Sequence, residues 1–173
     1  MNQQIINEII TLKNQYNNDN NTYEIQYLEM TEEIFMNKLK NITQSKWDSI
    51  KIIDNKEYIN RGMEMNINQA GEINCISKKM LKYKYLDNVK INLFNSRKIN
   101  SENFNGSTRY ERVYKQKNMV FSKGSFELMM KIKTEEAKSS KDKTATKITT
   151  YEMNIVFKSG NDERMLNDIF KML

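Results

Sequence analysis

The chain reads as an α+β domain in which helices frame a meandering antiparallel sheet able to close into a β-barrel. Three observations predict this. Amphipathic helical patterns open and close the chain, short alternating stretches separated by turn-formers fill residues 51–134, and several strands carry polar residues opposite their apolar face. The 173 residues form one domain, 1–173, long enough to bury roughly two-thirds of the unfolded surface without a staple. No internal repeat is present.

Residues 1–20 open as a helix, because Ile5, Ile6, Ile9, Ile10, Leu12 and Tyr16 recur at spacings near 3.6 before the turn-rich NNDNN. TYEIQYLEM sets Tyr23, Ile25 and Tyr27 against Glu24, Gln26 and Leu28, the alternation of a strand. Thr31 then stands as an N-cap. Glu32 and Glu33 suit the helix dipole, and Ile34, Phe35, Leu39 and Ile42 continue as a helical stripe. SKWDSI is a short turn or the start of another helix.

The next strands are IKIID, EYINRGMEMNI, EINCISKKMLKYKYL, VKINLFNS, STRYERVYKQKNMVF and SFELMMKIK, punctuated by DN, NQAG, LDN, NFNGS and SKG. Residues 135–148 are polar and aperiodic, which predicts a mobile loop. In TTYEMNIVFKSG, Tyr151, Met153, Ile155 and Phe157 face one way and Glu152, Asn154, Val156 and Lys158 the other. Asp162 is placed to cap a closing helix whose stripe is Met165, Leu166, Ile169 and Phe170.

Composition excludes more than it selects. The chain has no His, so Ser-His and Cys-His nucleophiles and His-ligated zinc are ruled out, leaving carboxylates, amines, guanidinium groups or a hard metal ion. Cys75 is alone and cannot pair within the chain. No leader pattern or membrane-length apolar run is visible, so a cytoplasmic location without a membrane partner is expected. The net charge of +6 favours polyanions. Abundant Asn, Lys, Ile and Tyr with no Pro also follow from an AT-rich coding bias, which weakens the lysine count as an argument.

The polar second faces carry the chemistry. Glu24 and Gln26, Glu127 and Lys131, and Glu152 and Asn154 would all line the interior if the sheet closes, and closure would bring Glu24 toward Glu152. A half-exposed open sheet produces the same alternation. In KKMLKYKYL, Lys78, Lys79, Lys82 and Lys84 interleave with Tyr83 and Tyr85, a pattern that suits single-stranded nucleic acid. Solvated lysines beside half-buried tyrosines are the plainer account.

On these residues the chain resembles a known family. TYEIQYLEMTEEIFMNKLKNI is similar to the first strand and following helix of the metal-dependent RNA 5′-triphosphatases, tunnel-fold enzymes of viral, fungal and protozoan mRNA capping. The family pattern there is Glu-x-Glu-x-Arg-Phe-Gly, then Thr or Ser, acids, a Phe and a leucine-rich helix. SFELMMKIK resembles its FRIDLTVVK strand and TYEMNIVF its closing YEIEIEL strand, each in the right order within residues 22–173. The resemblance implies a triphosphate-tunnel-like barrel with N-terminal, post-strand-1 and C-terminal helices.

Carried over position by position, the first acid pair falls on Thr22 and Glu24, the arginine on Gln26, the middle-strand aspartate on Met129, and the closing acids on Glu152, Asn154 and Val156. The phosphate-handling Arg-x-Lys-x-Arg strand overlies RYERV, keeping Arg109 but placing Glu111 and Val113 next; Arg112 has the opposite parity to Arg109 unless a bulge intervenes. The resemblance thus implies Glu24 and Glu152 as metal ligands, Glu24, Glu127 and Glu152 as catalytic acids, and Arg109, Arg112, Lys115 and Lys131 as phosphate-binding groups. Mn or Mg is the implied cofactor if the chain is an active hydrolase, since a hard cation needs several oxygen ligands.

So few surviving acids point to a capping-type triphosphatase domain with weakened or lost catalysis. The alternatives are a non-catalytic scaffold subunit and a nucleic-acid-binding barrel. Expected partners are triphosphate-ended RNA or another polyanion, and other capping or transcription subunits, in a host cytoplasm or a virion if the source is viral.

Overall fold

A computed structural model of the chain describes residues 1–60, 63–100, 110, 112–136, 147–158 and 163–173. The elements run α1 (Asn2–Gln15), β1 (Asn21–Tyr27), α2 (Glu32–Thr43), β2 (Ser49–Asn60), β3 (Met63–Asn68), β4 (Ile73–Leu86), β5 (Val89–Lys98), β6 (Arg112–Lys123), β7 (Phe126–Glu135), β8 (Thr149–Lys158) and α3 (Glu163–Met172). The strands form a closed barrel in the order β1-β5-β4-β3-β2-β6-β7-β8. Every neighbouring pair is antiparallel, and β1 completes the ring by pairing β5 on one edge and β8 on the other.

The hydrophobic core lies outside this barrel. Tyr23 and Ile25 of β1, Ile91 and Leu93 of β5, Leu128 and Met130 of β7, and Met153, Ile155 and Phe157 of β8 are buried on its outer surface. They join one cluster with Ile5, Ile6, Ile9 and Leu12 of α1, Phe35 and Ile42 of α2, and Leu166, Ile169 and Phe170 of α3. Ring contacts fix this layer: Phe157 stacks on Tyr23 at 5.4 Å and meets Phe126 at 4.8 Å. With the apolar face spent on the helices, the other face of each strand is free to be polar.

Local signals explain most boundaries. The Thr31 hydroxyl accepts a hydrogen bond from the Ile34 N–H at 3.3 Å, capping α2 as expected. Ile34 itself is turned out to solvent. SKWDSI forms no helix; the Trp47 indole N–H donates to the Ile42 carbonyl at 2.7 Å and the ring rests on Phe121. NQAG, LDN and SKG do turn, with positive φ at Gly71, Asp87 and Gly124. DN does not. Strand β2 runs straight through Asp54–Asn55, where its backbone pairs with Lys117 and Gln116 of β6, and the Asn55 amide donates to Asn66 at 2.9 Å across the β2–β3 pair. The expected cap Asp162, the NFNGS turn and most of the 135–148 loop lie outside the described residues. No described helix is long and apolar enough to cross a membrane.

The β6–β7 turn is locked to α3 through Gly124, where φ is +56° and an added Cβ would meet the Met165 Sδ at 2.7 Å. Gly124→Ala should lower stability by about 1–2 kcal/mol, the cost of a left-handed non-glycine residue. Urea unfolding measures it. Adding Met165→Ala should relieve the contact yet leave most of that loss, because the dihedral remains.

Candidate functional site: a closed polar lumen

Alternate residues of the strands point into the barrel and enclose a cavity of ≈ 600 Å³. One part of its wall is apolar, with Ile53, Phe94, Met129 and Val156. Amides follow: Asn55, Asn66, Asn74, Gln116 and Asn118. Charged groups then include Glu24, Glu57, Glu64, Lys78 and Lys131.

The acids of the lumen are held by nitrogen donors of the chain itself. The Asn92 amide donates to the Glu24 carboxylate at 3.0 Å. Lys78 Nζ lies 2.9 Å from Glu64. Deepest is Lys133 on β7, whose Nζ sits 2.9 Å from Glu57 on β2 and 3.4 Å from Glu152 on β8. Glu57 is 3 % exposed and Lys133 9 %, so this bridge spans the interior. The Tyr114 ring lies 5.4 Å from the same ammonium.

Burial alone would pull the Lys133 pKa down, but the charges of Glu57 and Glu152 and their hydrogen bonds outweigh it and push the ammonium up. Lys78 behaves alike: burial opposes its charge, and Glu64, with smaller help from Glu24 and Glu57, raises it. Both lysines are therefore fixed cations at neutral pH.

The expected meeting of Glu24 and Glu152 is corrected by the strand register. Strands β1 and β8 do pair, but Glu24 lies opposite Val156. Glu152 is four residues further along β8, about 13 Å of strand away, and its partner on β7 is Lys131. A hard divalent ion needs six or more oxygens close around it. Among the described residues no three His, Cys, Asp or Glu side chains gather in that way. With Glu24 bound to an amide and Glu152 to an ammonium, these residues do not fit the implied metal.

The remaining candidates divide by face. Lys131 lines the lumen and, among the described residues, carries no ion pair. Glu127 is exposed beside Val156, where Thr22, Gly124 and Lys158 outline a second hollow of ≈ 320 Å³. Arg112 alternates in step with Tyr114 and Gln116, on the inward register without any bulge, and donates to the Tyr114 hydroxyl at 3.2 Å. Lys115 is on the outer face, 3.4 Å from Glu136. Arg109 lies outside the described residues. Lys79, Lys82, Tyr83, Lys84 and Tyr85 are all exposed on β4.

Sequence reasoning passed over Glu57 and Lys133. The signal for Lys133 was present, since KIK places it two residues after Lys131 on one face. Glu57 was hidden by reading DN as a turn, which cut the alternation that runs from Ile53 through Asn55 to Glu57.

Among solved structures, the mimivirus capping enzyme triphosphatase superposes with a TM-score of 0.71 over 98% of this chain and 96% of that one, at 14% identity. The Pct1 RNA triphosphatase of S. pombe gives 0.66 over 98% and 82%, at 11% identity. The barrel has the RNA triphosphatase fold. At such identities the likeness shows the fold alone. A Pct1 structure in complex with the Spt5 CTD also matches, with a TM-score of 0.67 over 99% of this chain and 90% of that one at 9% identity. No family model matches the chain, and no curated protein matches it by sequence.

Within this RNA triphosphatase fold, Lys133→Met should cost about 3–5 kcal/mol by leaving Glu57 buried without its partner. Glu57→Gln with Lys133→Met should recover most of that loss, read from denaturant unfolding. The raised Lys133 pKa fixes the pH sign as well: its contribution is complete below the ordinary lysine value of 10.5 and is lost as pH climbs through the higher folded value. The wild-type melting midpoint should thus fall above that pH, and the double variant should fall less.

Proposed function

We propose that this chain is an RNA 5′-triphosphatase-like domain of an mRNA-capping or transcription apparatus that receives triphosphate-ended RNA in its lumen and has lost metal-dependent cleavage. One observation carries the reading: inside a barrel of RNA triphosphatase fold, the Lys133 ammonium is tied to Glu57 and Glu152. Phosphoryl transfer depends on pre-placed charge around the transferring group and on an oriented nucleophile. A tethered ammonium supplies charge but no open coordination position for water or a phosphate oxygen. Lys131 then remains as an inward cation available to phosphate, with Arg112 further along the inward register of β6.

A second reading, a scaffold subunit, is favoured by the outer face of β2, where Ile50 and Ile52 are 54% and 63% exposed. Apolar residues so exposed on one strand suit a protein partner. The two readings are compatible if the barrel holds RNA for a catalytic subunit.

Phosphate release from triphosphate-ended RNA with Mn present should not exceed that of the Glu24→Ala Glu152→Ala variant. Tripolyphosphate should bind the wild type, and Lys131→Ala should weaken that binding several-fold, as loss of one charge-assisted contact does. Mn-dependent release by the wild type that the double variant lacks would establish a working hydrolase and overturn the proposal.

A further inference from the structure

The β4–β5 hairpin carries a feature that neither the core nor the lumen uses. Strand β3 pairs with β4 only as far as Ser77, so beyond that point β4 is bonded, among the described residues, to β5 alone. The register slips between Met80 and Lys82, a bulge that exchanges the two faces of the strand. Without it, Lys82 and Lys84 would share the inward face with Lys78. With it, Tyr83 and Tyr85 do, opposite Asn92 and Lys90. Asn92 is the residue that holds Glu24, so the tyrosines continue the lumen wall outward.

The two rings stand together, their centroids 5.7 Å apart at 74°. Lys90 Nζ lies 5.2 Å from the Tyr83 ring and 5.6 Å from the Tyr85 ring. Tyr83 and Tyr85 are 55% and 56% exposed, so half of each ring meets water and buries no core. Charge identifies the occupant. Ile76–Lys98 holds seven Lys and Arg against one Asp, a surplus of six that equals the net charge of the whole chain, leaving the rest neutral.

We infer that Tyr83, Tyr85 and Lys90 form a stacking platform for a nucleobase of single-stranded RNA at the mouth of the lumen. This rests on the reading that the lumen takes the triphosphate end. Aromatic faces accept any base, and Lys90 beside them can meet a phosphate, so the platform is tolerant of sequence. It gives the barrel a means to prefer an RNA end over a bare polyphosphate.

The test compares two probes, a short triphosphate-ended single-stranded RNA and inorganic tripolyphosphate, on the full chain. Tyr83→Ala with Tyr85→Ala should weaken RNA binding roughly ten- to a hundredfold, the usual scale for lost base stacking. Tripolyphosphate affinity should stay unchanged, and Tyr83→Phe with Tyr85→Phe should retain RNA binding. RNA affinity unaffected by the double alanine variant overturns the platform while leaving the lumen reading intact. Failure of the wild type to bind tripolyphosphate, with RNA binding still dependent on the tyrosines, overturns the lumen reading and keeps the platform. RNA bound no better than tripolyphosphate by the wild type also sinks the inference.

Discussion

The antiparallel seam between β1 and β8 is the constraint from which the rest of the structure follows. Once those strands pair, the sheet has no open edge there and its two faces become an outside and an inside. Helices α1, α2 and α3 cover part of the outer surface, and the apolar residues of β1, β5, β7 and β8 meet them. Whatever is buried on the inner face must then satisfy itself, because an unpaired polar group away from water is costly.

Self-satisfaction shapes the lumen. Carboxylates face ammonium groups or amides, and buried Lys133 answers buried Glu57. Breaking the Lys133–Glu57 pair is costly even where the intact pair adds little to stability, since the buried Glu57 charge has no solvent to turn to. The amides are less complete. Asn92, Gln116 and Asn154 are each more than nine-tenths buried, and among the described residues no donor reaches their side-chain oxygens. Gln116 lines the cavity, where water or a ligand bearing N–H or O–H groups can supply its donor.

The fold was legible because alternation survives even in a biased composition. Tyr23, Ile25 and Tyr27, and Met153, Ile155 and Phe157, mark the outward faces without ambiguity. The site was less legible. Period two says that Glu24 and Glu152 share the inner surface, but it carries no information on the stagger between strands, and the stagger separates them. Nor does it reveal partners across the barrel, so the Lys133 bridge to Glu57, on a strand two places away in the ring, was invisible. The β4 bulge defeats the pattern outright: period two carried on from Lys78 would turn Lys82 and Lys84 inward, whereas the slip turns Tyr83 and Tyr85 inward in their place.

Coding bias explains a high lysine count but not its placement. A uniform drift toward lysine would spread the surplus along the chain, yet outside Ile76–Lys98 the basic and acidic residues balance. The surplus sits on one hairpin, which also exposes two aromatic rings and adjoins the lumen through Asn92. Long-range attraction of a polyanion would thus be focused on one rim of the barrel instead of spread over its surface. The ionic lattice inside the barrel is nearly neutral by pairing, so that rim is where an incoming phosphate chain first meets unneutralised charge.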